Sequence, residues 1–479
     1  MARGNRSERN LTEDSTSYAI EKYQHSTAVQ IAERGRALLF TQLGKYRTPL
    51  TDLEILDRGL ADRFRTLSTA LEDSSTLTFQ DAATRPVAMG DHVARRQKMV
   101  ADWNHIVEEI RRLEGFENFL GITPFASLQK AALDGPVILI NISRYGSSAV
   151  IIKATGDPLS ISLPEATPDA INPLTTALIG TNPDGGQPKG KRNLTRILRD
   201  LWTMIVEPIV LQLETTLGLP TGSRIWWMPT SAAWWLPLHA AGPYRSGEQN
   251  LPDRFVSSYT PTLSSLIRSR AGYQPTNNTS GPRLLAVAQA EAEGQTALHD
   301  VEAEVALIRQ LPAEITVVEG EGCTREAVLE GLKDIAWVHF SCHGHQHPTE
   351  PFKSHFSLRT LDAPLTLLDI IKNGLPQAEL AVLSTCHSAA VDRSTPDEAI
   401  NLAMGIHFAG FRGVVGTMWT MDDRDGPAVT GAFYKYMFRD GPETVDCRDA
   451  AKALVMGVRE LRRRKVPIER WINFVHYGI

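Results

Sequence analysis

Hydrophobic residues recur at helical spacing in the first quarter of the chain, with no strand-like alternation. Three apolar runs lie on predicted helix faces. They comprise Val29, Ala32, Leu38, Leu39 and Leu43; Leu60, Phe64, Leu67 and Leu71; and Val100, Trp103, Val107, Ile110 and Leu113. Pro49 is expected to break the chain between the first two runs. The pattern predicts a helical segment over 17–130, after a polar tail at 1–16 that we expect to be disordered.

The pattern changes at Gly135, where short β-branched runs begin. PVILINIS and SSAVIIKA, separated by RYG, predict a β-hairpin. Residues 154–193 are rich in Gly, Pro, Thr and Asn and predict a long surface excursion. A helix at about 194–217 and the buried strand RIWWMP complete a small predicted α/β unit over 136–270. The composition of AGYQPTNNTSGP (271–282) is that of a linker.

Strands and helices alternate over 283–479. The predicted strands are RLLAVAQA, EITVVEG, AWVHFSC, ELAVLSTC and GVVGTMW. The predicted helices lie at about 297–311, 324–334, 397–410, 427–438 and 446–464. Such alternation is typical of an α/β fold with a mostly parallel sheet covered by helices on both faces.

Composition narrows the class of protein. The chain has 479 residues, 42% hydrophobic and 22% charged, which is ordinary for a soluble globular protein and long enough for several domains. The formal net charge is -5, whereas a nucleic-acid-binding domain is typically basic. We therefore expect no nucleic-acid partner. No run of about 18 apolar residues occurs, so no membrane-spanning helix and no membrane partner are expected.

Cysteine content bears on the compartment. The chain has 4 cysteines and no CxxC pair, which is neither a disulfide framework nor a typical structural zinc motif. Free thiols are typical of a reducing compartment, and the polar N-terminus has no apolar segment of a secretory signal. We therefore expect a cytoplasmic protein, with the nucleus as the other reducing location.

Two predicted strands end in reactive groups. One predicted strand ends at His343 and Gly344, and the other ends at Cys386. In a parallel sheet the ligand crevice lies at the carboxyl ends of the strands, so neighbouring strands would bring His343 and Cys386 together. A thiolate can then attack a carbonyl, and the imidazole can activate it and protonate the leaving amine. The N–H groups of Gly344 and Cys386 are candidate oxyanion donors.

Structural roles compete with this interpretation. A single cysteine at a strand end is often a small buried hydrophobe, and a single histidine is often only hydrogen-bonded. Cys342 lies within its strand and is expected to be packed. His387 is a rival base, but next to Cys386 on an extended chain it should point elsewhere. The pairing of both residue types at two strand ends favours the catalytic interpretation.

The sequence HGHQH offers a rival chemistry. His343, His345 and His347 alternate and are an alternative set of zinc ligands, although no HExxH motif occurs. No GxSxG elbow, P-loop or GxGxxG motif follows any predicted strand, which argues against a serine hydrolase, an NTPase or a dinucleotide-binding enzyme. We expect no metal and no organic cofactor.

Six separated motifs resemble the CHAT peptidases, caspase-like cysteine proteases that commonly follow tetratricopeptide helices. The motifs are, in order, WWMPTSAAWWLPLHAAG, SSYTPTLSSL, WVHFSCHG, LSTCHSAA, FAGFRGVVGTMW and WINFVHYG. The resemblance covers roughly 136–479 and implies a caspase-like αβα sandwich. It implies a non-catalytic half at 136–270 and a catalytic half at 283–479, with His343 as catalytic base and Cys386 as nucleophile.

The N-terminal part of the chain differs from the usual family arrangement, in which tetratricopeptide helices precede the domain. ERGRALLFTQL resembles the last helices before such domains, but no repeat of about 34 residues is evident. The segment 17–130 is therefore interpreted as a tetratricopeptide-like remnant. The implied partners are a protein substrate and an activating or regulatory protein bound through these N-terminal helices.

An acidic loop, TMDDRDGP, follows the strand GVVGTMW. The chain is distantly similar to separases, in which acidic residues after a similar Trp bind a basic side chain before the cleaved bond (P1). Asp423 and Asp425 match that spacing, and Asp392 is a further candidate, so Arg or Lys is the expected P1 residue. The alternative for Asp425 is capping of the helix that follows it, and Asp397 fits a helix start better than a pocket.

These observations predict a cysteine endopeptidase that cleaves a protein substrate with a Cys–His dyad. Two alternatives remain open at this point. One is a catalytically idle caspase-fold module that binds a partner, against which the intact His343 and Cys386 argue. The other is a metal-dependent hydrolase built on the histidines of HGHQH.

Overall fold

The structure is a computed structural model that describes most of the chain. The described residues are 11–44, 53, 56–81, 89–113, 116, 119, 121–180, 191–275, 280–347, 350–360, 362–388 and 402–479. They divide into a main unit, Met1–Arg36 with Phe125–Ile479, and a helical unit, Ala37–Pro124. The division falls inside the expected 17–130 segment. Pro49, expected to break a helix, lies outside the described residues.

The helical unit contains the helices Arg58–Asp81 and Met89–Arg111, which confirms the helical periodicity. Its core includes Phe64, Ile110 and Phe119, with the rings of Phe64 and Phe119 centred 5.2 Å apart. Val100, assigned to an apolar face, is instead 42% exposed. The helix His25–Gly44 carries the first apolar run.

The first helix, Leu11–Glu21, begins inside the stretch expected to be a disordered tail, so that expectation is wrong for residues 11–16. Its contacts explain why it is ordered. The Asn141 side-chain amide donates to the Glu13 carbonyl at 3.0 Å, and the Ser17 hydroxyl donates to the Gly146 carbonyl at 2.7 Å. The helix therefore packs against the hairpin of the main unit, a contact that its polar sequence did not indicate.

Among the described residues of the main unit, thirteen strands form one sheet. They are β1 Val137–Asn141, β2 Ser148–Ile152, β3 Leu159–Ser162, β4 Arg224–Pro229, β5 Val256–Tyr259, β6 Arg283–Ala288, β7 Glu314–Glu319, β8 Trp337–His345, β9 His355–Ser357, β10 Leu365–Thr366, β11 Leu380–Ser388, β12 Gly413–Thr417 and β13 Phe474–Gly478. The order is β10-β9-β8-β11-β12-β13-β5-β4-β1-β2-β3, with β6 paired to β8 and β7 to β6. The predicted hairpin β1–β2 is confirmed, and so is the mostly parallel sheet predicted for 283–479.

Strand β13 joins the two expected halves into a single sheet. It runs antiparallel to β12, with Val415 opposite His476, and parallel to β5, with Tyr477 opposite Tyr259. Gly478 in β13 has a φ of 86°, and a Cβ there would collide with the Arg412 carbonyl oxygen. Only glycine fits this position because both the backbone angle and the close approach exclude a side chain.

Helices cover both faces of the sheet, as expected of an αβα sandwich. The helices of the main unit after Arg36 are Phe125–Leu128, Pro168–Gly180, Lys191–Leu201, Glu207–Thr215, Leu251–Arg254, Leu263–Arg270, Val301–Ile308, Arg325–Gly331, Leu367–Asn373, Leu402–Ala409, Gly426–Met437, Ala450–Arg463 and Ile468–Trp471. The side chains of His339 and Ser341 on β8 contact the helices Gly426–Met437 and Val301–Ile308 on one face. On the other face, Leu285 of β6 lies under Gly331 of the helix Arg325–Gly331.

The segment 154–193 differs from its prediction. Instead of a long surface excursion, it contains β3 and the helix Pro168–Gly180, which starts with one proline and includes Pro173. The helix tolerates Pro168 because a proline at its first position loses no intrahelical hydrogen bond. Within the part of the chain that the structure describes, no helix has both the length and the apolar character needed to cross a lipid bilayer.

Candidate active site

The strands β8 and β11 are parallel neighbours within the 283–479 part of the sheet, and His343 stands in register with Cys386. Neighbouring strands lie about 4.8 Å apart, so these two positions are adjacent. Both fall near the carboxyl ends of their strands, the edge where a parallel sheet forms its ligand crevice. The sequence placed the two residues on one edge, and the register brings them to the same level.

The ring of His343 is oriented by a backbone carbonyl. Its Nε2 lies 2.8 Å from the carbonyl oxygen of Thr296, in the loop between β6 and the helix Val301–Ile308. A carbonyl oxygen only accepts hydrogen bonds, so Nε2 carries the hydrogen when the ring is neutral. Nδ1 is then the free acceptor, and it can take a proton from a thiol. Thr296 could not be identified from the residue pattern, because every residue has a backbone carbonyl group.

The loop that contains Thr296 is itself held at several points. The N–H of His299 donates to Oδ2 of Asp423 at 2.9 Å. The N–H of Leu298 donates to the carbonyl of Ala290 at 2.9 Å. These contacts fix the loop on both sides of the carbonyl that orients His343.

Below the histidine, a buried carboxylate connects β8 to two helices. Glu304 accepts hydrogen bonds from the hydroxyl of Ser341, at 2.7 Å, and from the hydroxyl of Thr430, and it lies 3.2 Å from Nε2 of His339. Burial alone would raise the pKa of Glu304, but His339 and the two hydroxyls outweigh burial and hold it below its usual value. His339 and Ser341 share the face of β8 that carries His343, because side chains alternate along a strand.

The other histidines of HGHQH have separate environments. His345 stacks on His355, with ring centres 5.0 Å apart, and its Nε2 lies 3.0 Å from the Gln295 amide nitrogen. Burial, followed by the charges of His355 and His343, lowers the pKa of His345. Nδ1 of His347 accepts the N–H of Glu350 at 3.0 Å. No trio of His, Cys, Asp or Glu side chains among the described residues is arranged to hold a metal ion.

The remaining residues of the predicted strand ends lie as follows. Cys342 is buried, as expected for a packed cysteine. Gly344, the candidate oxyanion donor, is in register with Phe356 of β9 on one side and with His387 of β11 on the other. Asp392, the second pocket candidate, lies outside the described residues.

The acidic loop after β12 is largely engaged in ion pairs. Asp425 is 2% exposed, and its two carboxylate oxygens bind Arg470 at 2.7 and 2.6 Å. A carboxylate so engaged is closed to a substrate, so we correct its assignment to substrate binding. It also makes no side-chain cap on the helix that follows it, the alternative role. Asp422 instead caps the short turn before that helix, through the N–H of Arg424, and contacts Arg470 at 3.3 Å.

Arg470 is a partner that the sequence did not reveal, because it lies far along the chain from the loop that it neutralises. Asp423 has a different environment. Its only described side-chain contact is the N–H of His299, which leaves its other carboxylate oxygen open. Of the carboxylates expected to bind substrate, Asp423 is therefore the described one that stays accessible.

Comparison with known proteins gives a family match over more than half of the chain. The family model described as CHAT domain matches residues 195–478. No curated protein sequence matches the chain. The match to this family agrees with the resemblance drawn from the six motifs, and the mostly parallel sheet between two helix layers agrees with the expected caspase-like αβα sandwich.

Three solved structures share similarity at low identity. The Saccharomyces cerevisiae separase–securin complex is 11% identical with a TM-score of 0.49, over 74% of this chain and 30% of that chain. The Arg-specific cysteine proteinase gingipain R is 11% identical with a TM-score of 0.37, over 62% of this chain and 68% of that chain. The complex of pro- and mature domains of Porphyromonas gingivalis RgpB is 9% identical with a TM-score of 0.39, over 61% and 69%. The chain thus spans about 30% of the length of the separase.

Proposed function

Because this chain belongs to the CHAT-domain family, we propose that it is a cysteine endopeptidase that cleaves a protein substrate with Cys386 and His343. The observation that carries the proposal is the register of these two residues on adjacent parallel strands, at the edge where the sheet forms a crevice. The contact between Nε2 of His343 and the Thr296 carbonyl supports it further, because it leaves Nδ1 as the proton acceptor.

The proposed chemistry needs no group from outside the chain except water. Nδ1 of His343 takes the proton of the Cys386 thiol, and the thiolate attacks the carbonyl carbon of the scissile bond. The N–H groups of Gly344 and Cys386 stabilise the oxyanion that forms. The imidazolium then gives its proton to the leaving amine, which departs as the new N-terminus. Water, deprotonated by the same imidazole, hydrolyses the thioester and releases the thiol.

For substrate preference we propose Arg or Lys at P1, with Asp423 as the pocket carboxylate and Asp392 as a second candidate. The support for Asp423 is its accessible oxygen in a loop whose other acidic residues are paired with arginines. A carboxylate in a site shielded from water discriminates strongly for a basic side chain. Asp425 is not part of this pocket.

The proposed partners are the protein substrate at the sheet edge and a regulatory protein at the N-terminal helices. Leu56 in this region is 56% exposed and Val100 is 42% exposed, which leaves apolar surface for such a contact. A cytoplasmic location also stays a proposal. Its support is that Cys323 and Cys447 are free thiols, as a reducing compartment would keep them.

The test is covalent labelling with a peptide acyloxymethyl ketone that carries Arg at P1. We expect one adduct per chain, located at Cys386 by mass spectrometry of the digested protein. Cys386→Ala should abolish the adduct, and His343→Gln should slow labelling by a factor of about 100 or more. Cys342→Ala is the matched control, and it should label like the wild type because that thiol is buried.

Two results would overturn the proposal. A folded wild-type protein that neither labels nor cleaves any member of a peptide library would indicate an idle interaction module. Cleavage that EDTA abolishes, and that His345→Ala and His347→Ala reduce as strongly as His343→Ala, would indicate a metal-dependent hydrolase.

A further inference from the structure

A cavity lies in the main unit, against the seam where β5 and β13 pair. The space between its walls is about 580 Å³, a volume that includes the open solvent at its mouth. Its walls come from β5, β13 and the helices Ala450–Arg463 and Ile468–Trp471. Apolar side chains dominate these walls, among them Phe255, Leu454, Val455, Val458, Trp471 and Phe474.

His239 and Ser257 in the wall already have partners inside the protein. Nδ1 of His239 lies 3.0 Å from the Tyr259 hydroxyl, and its Nε2 lies 2.9 Å from the Ile472 carbonyl. The hydroxyl of Ser257 accepts the indole N–H of Trp227 at 3.0 Å. Burial lowers the pKa of His239 to about 4, so the ring is neutral at neutral pH. These groups therefore offer little to a polar ligand, and the interior favours hydrocarbon.

Two arginines stand at the cavity, and their environments differ. Arg462 is engaged, because it pairs with Asp253 at 2.8 Å and its guanidinium lies 5.2 Å from the centre of the Trp471 ring. Arg459 is exposed, and within the described part of the chain it forms neither an ion pair nor a hydrogen bond. The cavity thus combines an apolar interior with a cation that is free to receive an anionic group.

We propose that this cavity binds an amphiphile with a hydrocarbon body and a terminal carboxylate, the chemistry of a medium-chain fatty acid. The hydrocarbon would fill the apolar interior, and the carboxylate would pair with Arg459 at the mouth. Each methylene that moves from water into the cavity strengthens binding about fourfold. A straight-chain amine fits less well because its ammonium would meet the guanidinium of Arg459.

The cavity wall also holds the acidic loop of the candidate active site. Asn473 follows the lining residues Trp471 and Ile472, and its side-chain amide binds both the N–H of Trp419, at 2.8 Å, and the Trp419 carbonyl, at 2.9 Å. Arg470, just before Trp471, binds Asp425. A ligand packed on this wall stabilises the segment that anchors residues 418–425. Occupancy of the cavity is therefore expected to rigidify the loop that carries Asp423.

The binding test is isothermal titration calorimetry on the full chain with octanoate, decanoate, decanol and decylamine, all below their micelle concentrations. We expect saturable 1:1 binding of decanoate, about sixteen times weaker binding of octanoate, and decylamine as the weakest of the ten-carbon ligands. Arg459→Gln should weaken decanoate about tenfold without affecting decanol. Arg463→Gln is the matched control, because Arg463 is an exposed arginine of the same helix that pairs with Glu460 and does not line the cavity.

Filling the cavity tests the location. Val458→Trp should abolish binding of decanoate and of decanol, with thermal unfolding as the check that the variant is folded, and Leu454→Phe is the milder second variant. The proposal is overturned if no ligand binds saturably, if decylamine binds best, or if both folded variants bind decanoate like the wild type.

The effect of the ligand on the acidic loop is measured by hydrogen exchange of the backbone amides. Exchange over residues 418–425 should slow when decanoate is bound. Unchanged exchange there would refute the coupling. Neither measurement depends on peptidase activity.

Discussion

The carbonyl oxygen of Thr296 lies 2.8 Å from Nε2 of His343 and so sets which ring nitrogen faces away from the loop. The same loop is tied to Asp423 through the N–H of His299. A residue of the acidic loop thus holds the segment that orients the candidate base. Asp423 therefore has two separable roles to test, one through its charge and one through its hydrogen bond.

Asp423→Asn removes the charge and keeps an oxygen that can accept the His299 N–H. If the carboxylate binds the basic P1 side chain, kcat/KM for Arg substrates should fall about tenfold or more, with little change for a Leu substrate. Asp423→Ala should in addition lower kcat for every substrate, because the loop around Thr296 loosens. A P1 library run on both variants separates the two effects. An unchanged Arg preference in Asp423→Asn would remove this residue from the pocket.

Asp425→Asn should reduce stability and leave P1 selectivity unchanged. The variant breaks an ion pair in which Asp425 is buried and Arg470 is largely buried, and loss of one partner of a buried pair costs about 3 kcal/mol. Urea unfolding measures the cost, and the same P1 library measures selectivity. Altered P1 preference in a variant of wild-type stability would return Asp425 to the list of pocket residues.

Glu304→Gln should lower stability and flatten its dependence on acid. In the wild type the pKa of Glu304 lies below its usual value near 4.5, since His339 and the hydroxyls of Thr430 and Ser341 outweigh burial. A lowered carboxyl pKa contributes stability that is present above about 4.5 and is lost as the pH falls through the lower, folded value. Urea unfolding of both proteins between pH 6 and 3 should show a smaller acid loss in the variant. Parallel curves would show that Glu304 is not ionised in the folded protein.

Buried histidines predict a second loss of stability in a higher pH range. Burial lowers the pKa of His239 and of His407 from 6.5 to about 4, and it lowers that of His476 well below its usual value, with help from Arg224. These rings stay neutral in the folded protein and gain protons on unfolding, so their contribution is complete above about 6.5 and falls away towards pH 4.

For His239 and His407 the expected loss is about 2 kcal/mol each at pH 5 relative to pH 7. Urea unfolding at the two pH values measures it. His407→Gln should lose part of the difference between pH 7 and pH 5, whatever its stability at pH 7. Equal differences in the variant and the wild type would contradict the assignment of a neutral buried His407.

Gly478→Ala should destabilise the protein by about 3 kcal/mol or more. The new Cβ would need a φ of 86° and would collide with the Arg412 carbonyl. Gly374→Ala is the matched control, because Gly374 has a similar φ of 66° but open space around it. The control should cost only about 1 kcal/mol, the backbone penalty alone. Equal losses in thermal or urea unfolding would mean that the close approach at Gly478 has no effect.

Short-range patterns predicted the parts of the fold that depend on local sequence. RLLAVAQA and GVVGTMW are apolar runs that form β6 and β12, and the alternation of such runs with helices identified the sheet. The prediction of a surface excursion at 154–193 was wrong for β3 and for the helix Pro168–Gly180. Prolines and glycines are typical of loops, but this helix has a proline at its first position. The pairing of β13 with both β5 and β12 depends on partners far away along the chain, which no local pattern encodes.

In the candidate site, too, the features that depend on local sequence were predicted, and those that depend on distant residues were not. His343 and Cys386 were predicted because each ends an apolar run, and parallel strands end on one edge. The Thr296 carbonyl, the Glu304 cluster and the Arg470–Asp425 pair were not predicted. A backbone carbonyl has no sequence signature, and a buried ion pair between distant residues looks like two surface charges in the sequence. Asp425 was misassigned for this second reason.

The position of β13 has a consequence for synthesis. A ribosome makes β5 and β12 before β13, yet β13 is the strand that lies between them. Until it emerges, the nascent chain carries two half-sheets, each with an exposed edge of unpaired N–H and C=O groups. Such edges can pair with other nascent chains for as long as the seam is empty. Of the described strands, the one that comes last along the chain is also the one that turns two half-sheets into one.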